Sequence, residues 1–132
     1  MCLCGPCVNA RHRGVIAEVG KLCKAAGATC RCEMPVPELE DGVGGQAILD
    51  LVVWGADMPD AMLDSTARHP AAASHNEAAA ASSGACASGA EAEKERRYPS
   101  RGGVSIVPFA AETWGRIGAQ AEQFLRTAGA AA

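Results

Sequence analysis

Aromatic residues are scarce: they make up 4% of the 132 residues, with two Phe, two Trp and one Tyr. A core with so few rings is small and aliphatic. Much of the 48% hydrophobic content is alanine, which buries little area per residue, so the length supports one small domain of modest stability and not two. Long apolar runs are lacking as well. The longest, Ala47 to Trp54, is interrupted by Asp50 and is too short to span a bilayer. With no basic-then-apolar leader at the start, the expectation is a soluble intracellular protein without a membrane partner. Positive net charge is also missing. A formal charge of −3 and a pI near 5.6 exclude a protein whose whole surface grips nucleic acid. The average hides a gradient, because Arg11, Arg13, Lys21, Lys24 and Arg31 face only Glu18 before Cys32, whereas Arg68 is the lone cation between residues 33 and 81. No phosphate loop, dinucleotide fingerprint or Ser/His/Asp arrangement is visible.

What the chain does have is cysteine, seven in all. In a reducing compartment an odd count points to metal ligation before disulfides. Cys2, Cys4 and Cys7, followed by His12, form a candidate zinc set, although they lie closer together than the two-plus-two spacing of common zinc modules. Cys23, Cys30, Cys32 and Cys86 read as small buried apolar residues.

The remaining pattern is α/β. Residues 13–27 carry Val15, Ile16, Val19, Leu22 and Cys23 at helical spacing, ended by Gly27. Residues 29–39 read as an edge strand limited by Pro35 and Pro37, and 41–45 as a glycine turn. "QAILDLVVW" and "AMLDSTA" are two further strands joined hairpin-fashion. From Pro70 to Gly89 the Ala/Ser-rich stretch, with His75 inside it, predicts a loop. A helix over 90–98 ended by Pro99, a fourth strand over 102–109, and a closing helix bearing Trp114, Ile117, Ala121, Phe124 and Leu125 complete the chain. The order is helix, three strands, helix, strand, helix. A helix between the third and fourth strands is a crossover, which permits a mixed central sheet.

Asp50 and Asp64 interrupt two strands whose other members are apolar. Antiparallel neighbours stand about 5 Å apart, so two carboxylates brought level can share a divalent cation; the other reading is two exposed residues of ordinary strands. Arg68 and His69 read as phosphate contacts or as a polar strand exit. Trp54 and Trp114 read as packing residues, since neither lies in a basic aromatic cluster in the sequence.

The ordered set "AILDLVVW", "LDSTARHP", "AEKERRY" and "VSIVPFAAETWG" resembles the restriction-endonuclease-like, PD-(D/E)XK-type domain that follows the reverse transcriptase of site-specific non-LTR retrotransposons. The likeness runs from about Arg11 to the C-terminus. It implies a restriction-endonuclease-like α/β core over 13–132, preceded at 1–12 by the stump of a Cys/His knuckle. It also implies a Mg²⁺- or Mn²⁺-dependent endonuclease that nicks DNA for integration, with a reverse transcriptase as partner, a nuclear location when active, and Zn²⁺ at the knuckle. By that resemblance Asp50 and Asp64 are catalytic metal ligands and Lys94 the catalytic cation; Arg68, His69, Arg97 and Tyr98 are the candidate substrate contacts, and Glu18 is an outer partner or a solvated surface acid. Leu49 replaces the family's proline before the first acid, Ser65 the more usual valine, and Thr66 the lysine normally found two residues after the second acid. Two other readings stay open: an inert remnant acting as an interaction module, and a small Cys-rich metal-binding protein.

Overall fold

The computed structural model describes residues 5–40, 45–55 and 57–131. Helix α1 (Gly5–Ala25) leads into β1 (Thr29–Pro35), a single 3-10 turn at Pro37–Leu39, β2 (Ile48–Trp54) and β3 (Ala61–Arg68). Helices α2 (Asn76–Ala81) and α3 (Ala85–Arg97) follow, then β4 (Val107–Glu112) and α4 (Ala119–Ala131). The strands form one mixed sheet in the order β1-β2-β3-β4, antiparallel across the first two pairs and parallel between β3 and β4. The crossover through α3 makes the last pairing parallel.

Alternation along the strands assigns the two faces. Leu51, Val53, Leu63 and Phe109 point to one face, where Ile16, Val19 and Cys23 of α1 and Ala121, Phe124 and Ala128 of α4 cover them. Ala110, one residue on from Phe109, points the other way and packs on Ala87 and Ala90 of α3. A smaller apolar cluster on Leu49 gathers Val36, Leu39, Ala47, Ile106 and Tyr98, the residue that closes α3. Alanines let α3 approach the sheet closely, which holds the functional end of that helix over β3.

Several elements differ from the sequence reading, each for a physical reason. The Pro70–Gly89 stretch is not one loop: α2 lies within it, and α3 begins at Ala85 because Cys86, Ala87 and Ala90 find buried positions. α1 runs unbroken from Gly5 through Cys7 and His12, with no boundary at residue 12. The fourth strand is shifted to Val107–Glu112 by its pairing with β3, leaving Arg101 and Val104 in an isolated bridge. The closing helix starts only at Ala119, so Trp114 lies outside it. Most of the glycine turn at 41–45 lies outside the described residues.

Two buried carboxylates that the sequence reading passed over organise the helix ends. Glu112 of β4 accepts the backbone N–H of Ala87 at 3.2 Å, and Glu91 of α3 accepts that of Gln120 at 2.9 Å. Each satisfies an amide left open in the first turn of a helix, at the positive end of its dipole. Among the described residues no helix is long and apolar enough to cross a membrane.

Candidate active site

The β2–β3 ladder runs from Val53 opposite Ala61 to Leu51 opposite Leu63, and there it ends. One step further the same register sets Asp50 against Asp64. With the ladder finished, β3 continues beside β4 as far as Arg68, and β2 runs back beside β1 to Ile48. The two acids therefore stand at a fork between diverging strands. Here the Ser65 N–H has no ladder partner on β2 and donates to Asp50 Oδ2 at 2.6 Å. His12, from the N-terminal half of α1, brings Nε2 to 3.0 Å from the same oxygen. With Asp50 ionised, that nitrogen acts as donor.

Lys94 reaches the fork from α3. Its Nζ donates to Asp64 Oδ2 at 2.8 Å, in a pair whose side chains are only 15% and 8% exposed. The placement follows from helical spacing, because Tyr98, four residues on, is anchored in the apolar cluster below and Lys94 sits one turn above it on the same face. Burial pushes the Asp64 carboxyl above its ordinary range; Lys94 pulls against this, and the nearby Asp50 carboxylate adds to the rise. The Tyr98 hydroxyl is raised as well, by burial first and then by the charge of Asp64. Both effects place Asp64 and Tyr98 in one environment poor in water.

The remaining candidates are distributed around this centre. Arg68, at the end of β3, is paired with Glu93 of α3 and half-buried. Arg97 lies over the Tyr98 ring, 5.1 Å from its centroid. His69 turns Nδ1 to Thr113 Oγ1 at 2.6 Å. Glu18 is exposed and pairs with Lys21 on its own helix, away from the acids. Cys23 and Cys86 are buried, Cys30 is half-buried and Cys32 exposed, so the apolar reading fails for Cys32. Burial pushes the Cys23 thiol up to about 11, which suits a packing role.

The zinc set is not assembled from the described residues. Cys2 and Cys4 lie outside them, Cys7 is within α1, and His12 is directed to Asp50. No group of three His, Cys, Asp or Glu among the described residues could hold a metal ion. Two carboxylates with water and a substrate phosphate are nonetheless the sparse donor set that Mg²⁺ takes. The Oδ2 atoms of Asp50 and Asp64 are engaged by Ser65, His12 and Lys94, and the two carboxylates also interact with each other; Asp50 and Asp64 are the residues that would hold a cation. His12 and the Ser65 amide are the members of this site that sequence reasoning missed. The signal for His12 was its nearness to the start of an amphipathic helix, but the zinc reading had claimed it.

Comparison with models of protein families, with curated proteins and with solved structures returns no match.

Proposed function

We propose that this chain is a metal-dependent DNA endonuclease domain with a restriction-endonuclease-like core, of the kind found beside the reverse transcriptase of site-specific non-LTR retrotransposons. The observation that supports this reading is the convergence at the strand fork of Asp50, Asp64 and Lys94, contributed by three different elements. Thr66 cannot do the work of the lysine usually found two residues after the second acid, and Lys94 brings an ammonium to that acid from the crossover helix.

A divalent cation held by Asp50 and Asp64 would lower the pKa of a bound water and offset charge on the scissile phosphate. The protein's own part is orientation. The Ser65 amide and His12 fix the Asp50 carboxylate, so it would meet a cation already oriented. Lys94 keeps a positive charge at the fork where the pentavalent phosphate gathers negative charge. Burial of Asp64 makes its ionised form costly, so cation binding is coupled to release of a proton as pH falls toward the raised pKa.

A second reading is favoured by the Lys94–Asp64 ion pair itself, which neutralises both charges internally and would equally hold together an inert remnant. The two readings separate on supercoiled plasmid DNA. In Mg²⁺ or Mn²⁺ the parent should nick it. Lys94→Ala should reduce nicking at least 100-fold while calorimetry still detects cation binding, and Asp64→Ala should lose both. A Lys94→Ala protein that nicks at the parent rate, or a parent that nicks under no divalent metal, would transfer the conclusion to the inert remnant.

A further inference from the structure

The sequence reading gives Trp114 a packing role, and the structure does not. Its side chain is 68% exposed, the most open of the large hydrophobic residues described. It is also held in place. Glu112 N–H donates to Arg116 carbonyl at 2.7 Å and Gly115 N–H to Glu112 carbonyl at 2.9 Å, which closes a tight loop; Ala111 and Ile117 form a bridge at its base. Gly115, at φ +95, supplies the left-handed residue this reversal needs. Thr113 N–H donates to the Arg68 carbonyl at 2.9 Å and clamps the loop to the end of β3. The His69 ring, fixed through Thr113 Oγ1, meets the indole edge-to-face with centroids 5.7 Å apart and planes at 89°. A rigid, solvent-facing aromatic loses little entropy on contact with a ligand, whereas left exposed it contributes nothing to the core.

Its surroundings select the ligand. Arg116 lies within the loop with its stem against Gly84 and Arg11 lines the adjoining groove, while Arg68 holds the loop through its carbonyl and turns its side chain to Glu93. The acids nearby are engaged elsewhere: Glu112 is turned to the first turn of α3 and Glu93 to Arg68. The loop follows the C-terminal end of β4, the end of the sheet toward which β2 and β3 part. Arg68, which holds the loop through its carbonyl, is four positions beyond Asp64 on β3, about 13 Å at the rise of a strand.

We propose that Trp114 is a stacking platform for an unpaired base of the DNA substrate, at the end of the sheet where β2 and β3 part; this rests on the endonuclease reading. A base inside a continuous duplex offers only its edges to a protein, so an indole face can be covered only by a base freed from its stack. The substrate class is therefore DNA with a single-stranded arm, end or flap next to the scissile bond, in preference to unbroken duplex. Base–aromatic stacking is tolerant of sequence, and the arm's sequence should matter little.

The test uses the full chain carrying Trp54→Phe, so that Trp114 is the sole indole, with Ca²⁺ in place of Mg²⁺. The probes are a blunt 20-base-pair duplex and the same duplex with a six-nucleotide single-stranded arm. The armed duplex should quench Trp114 emission and the blunt one should not. Trp114→Ala should weaken binding of the armed duplex about tenfold with little effect on the blunt one, and Trp114→Phe should keep most of the affinity. Equal affinity of Trp114→Ala and parent for the armed duplex, equal losses on both duplexes, or no binding of either by the parent would overturn the platform. If the parent nicks in Mg²⁺ while Trp114→Ala binds the armed duplex unchanged, the platform fails and the endonuclease reading stands. Quenching and selective loss without nicking would keep the platform and remove the endonuclease.

Discussion

At the level of single side chains, the fork places function and stability in opposition. Asp64 is buried with a raised pKa whose first cause is desolvation, so its neutral form is the better folded one. The carboxyl's contribution is therefore most favourable below its unfolded pKa, near 4, and is lost as pH rises through the raised folded value. Replacement by Asn keeps the shape and an acceptor for Lys94 but removes the titration. The stability of Asp64→Asn relative to the parent should rise as pH increases from 4 and level off once pH passes the raised folded value, in urea unfolding series, whatever its constant offset. A gap that narrows over that range would mean that Lys94 outweighs burial. Ser65 carries a related cost, since its hydroxyl is buried with no hydrogen-bond partner in the protein, where the resembled family more often has valine. The amide of the same residue holds Asp50, so the backbone at this position serves the site and the side chain does not.

Among the elements, β2 and β3 were legible because β-branched and aliphatic runs with an acid at a fixed phase leave few registers that bury Leu51 and Leu63 together. The convergence of Asp50 and Asp64 follows from that same phase, and Lys94 from the spacing to Tyr98. What was not legible depends on tertiary contacts. The Ala/Ser composition of residues 70–89 reads as a loop, yet alanine is a strong helix former once a sheet face accepts it, as Ala87 shows against Ala110. The delayed start of α4 depends on Glu91, which no local pattern connects to Gln120. Gly118 is the consequence. A Cβ there would run into the Glu91 carboxylate, and Glu91 is itself only 6% exposed, with no free space to retreat into without losing its amide. Gly118→Ala should therefore lower stability by about 1–3 kcal/mol, the cost of a buried charged acceptor left unsatisfied. The denaturation midpoint would measure this. Gly14→Ala is the matched control, since its Cβ meets nothing within 4 Å on an exposed turn of α1, and it should gain about 0.5–1 kcal/mol from helix propensity. Equal midpoints for the two variants would remove Glu91 from the account of how α4 begins.

For the whole molecule, a net charge of −3 has to be reconciled with the proposed polyanionic substrate. The fold does so by placing its cations unevenly: Arg11, Arg68, Lys94, Arg97 and Arg116 all belong to segments that border the strand fork or the Trp114 loop. Most are already committed. Lys94 pairs with Asp64, Arg68 with Glu93, and Arg97 lies on Tyr98, so only a small number of phosphates can be met by charge that is not already neutralised. Each phosphate neutralised contributes about −0.9 to the slope of log affinity against log salt. Two or three such contacts predict a slope of about −2 to −3 for the chain binding DNA, far shallower than that of a protein gripping duplex with a basic face. Fluorescence anisotropy between 25 and 200 mM KCl (about 20 to 7 Å in Debye length) covers the range in which the slope is readable. A slope near −3 is expected for the armed duplex. A slope steeper than about −6 would require a basic surface that the described residues do not form, and would move the main binding energy away from the fork. With so shallow an electrostatic contribution, affinity has to come from contacts that salt does not screen, and the exposed, rigidly held indole of Trp114 is a contact of that kind.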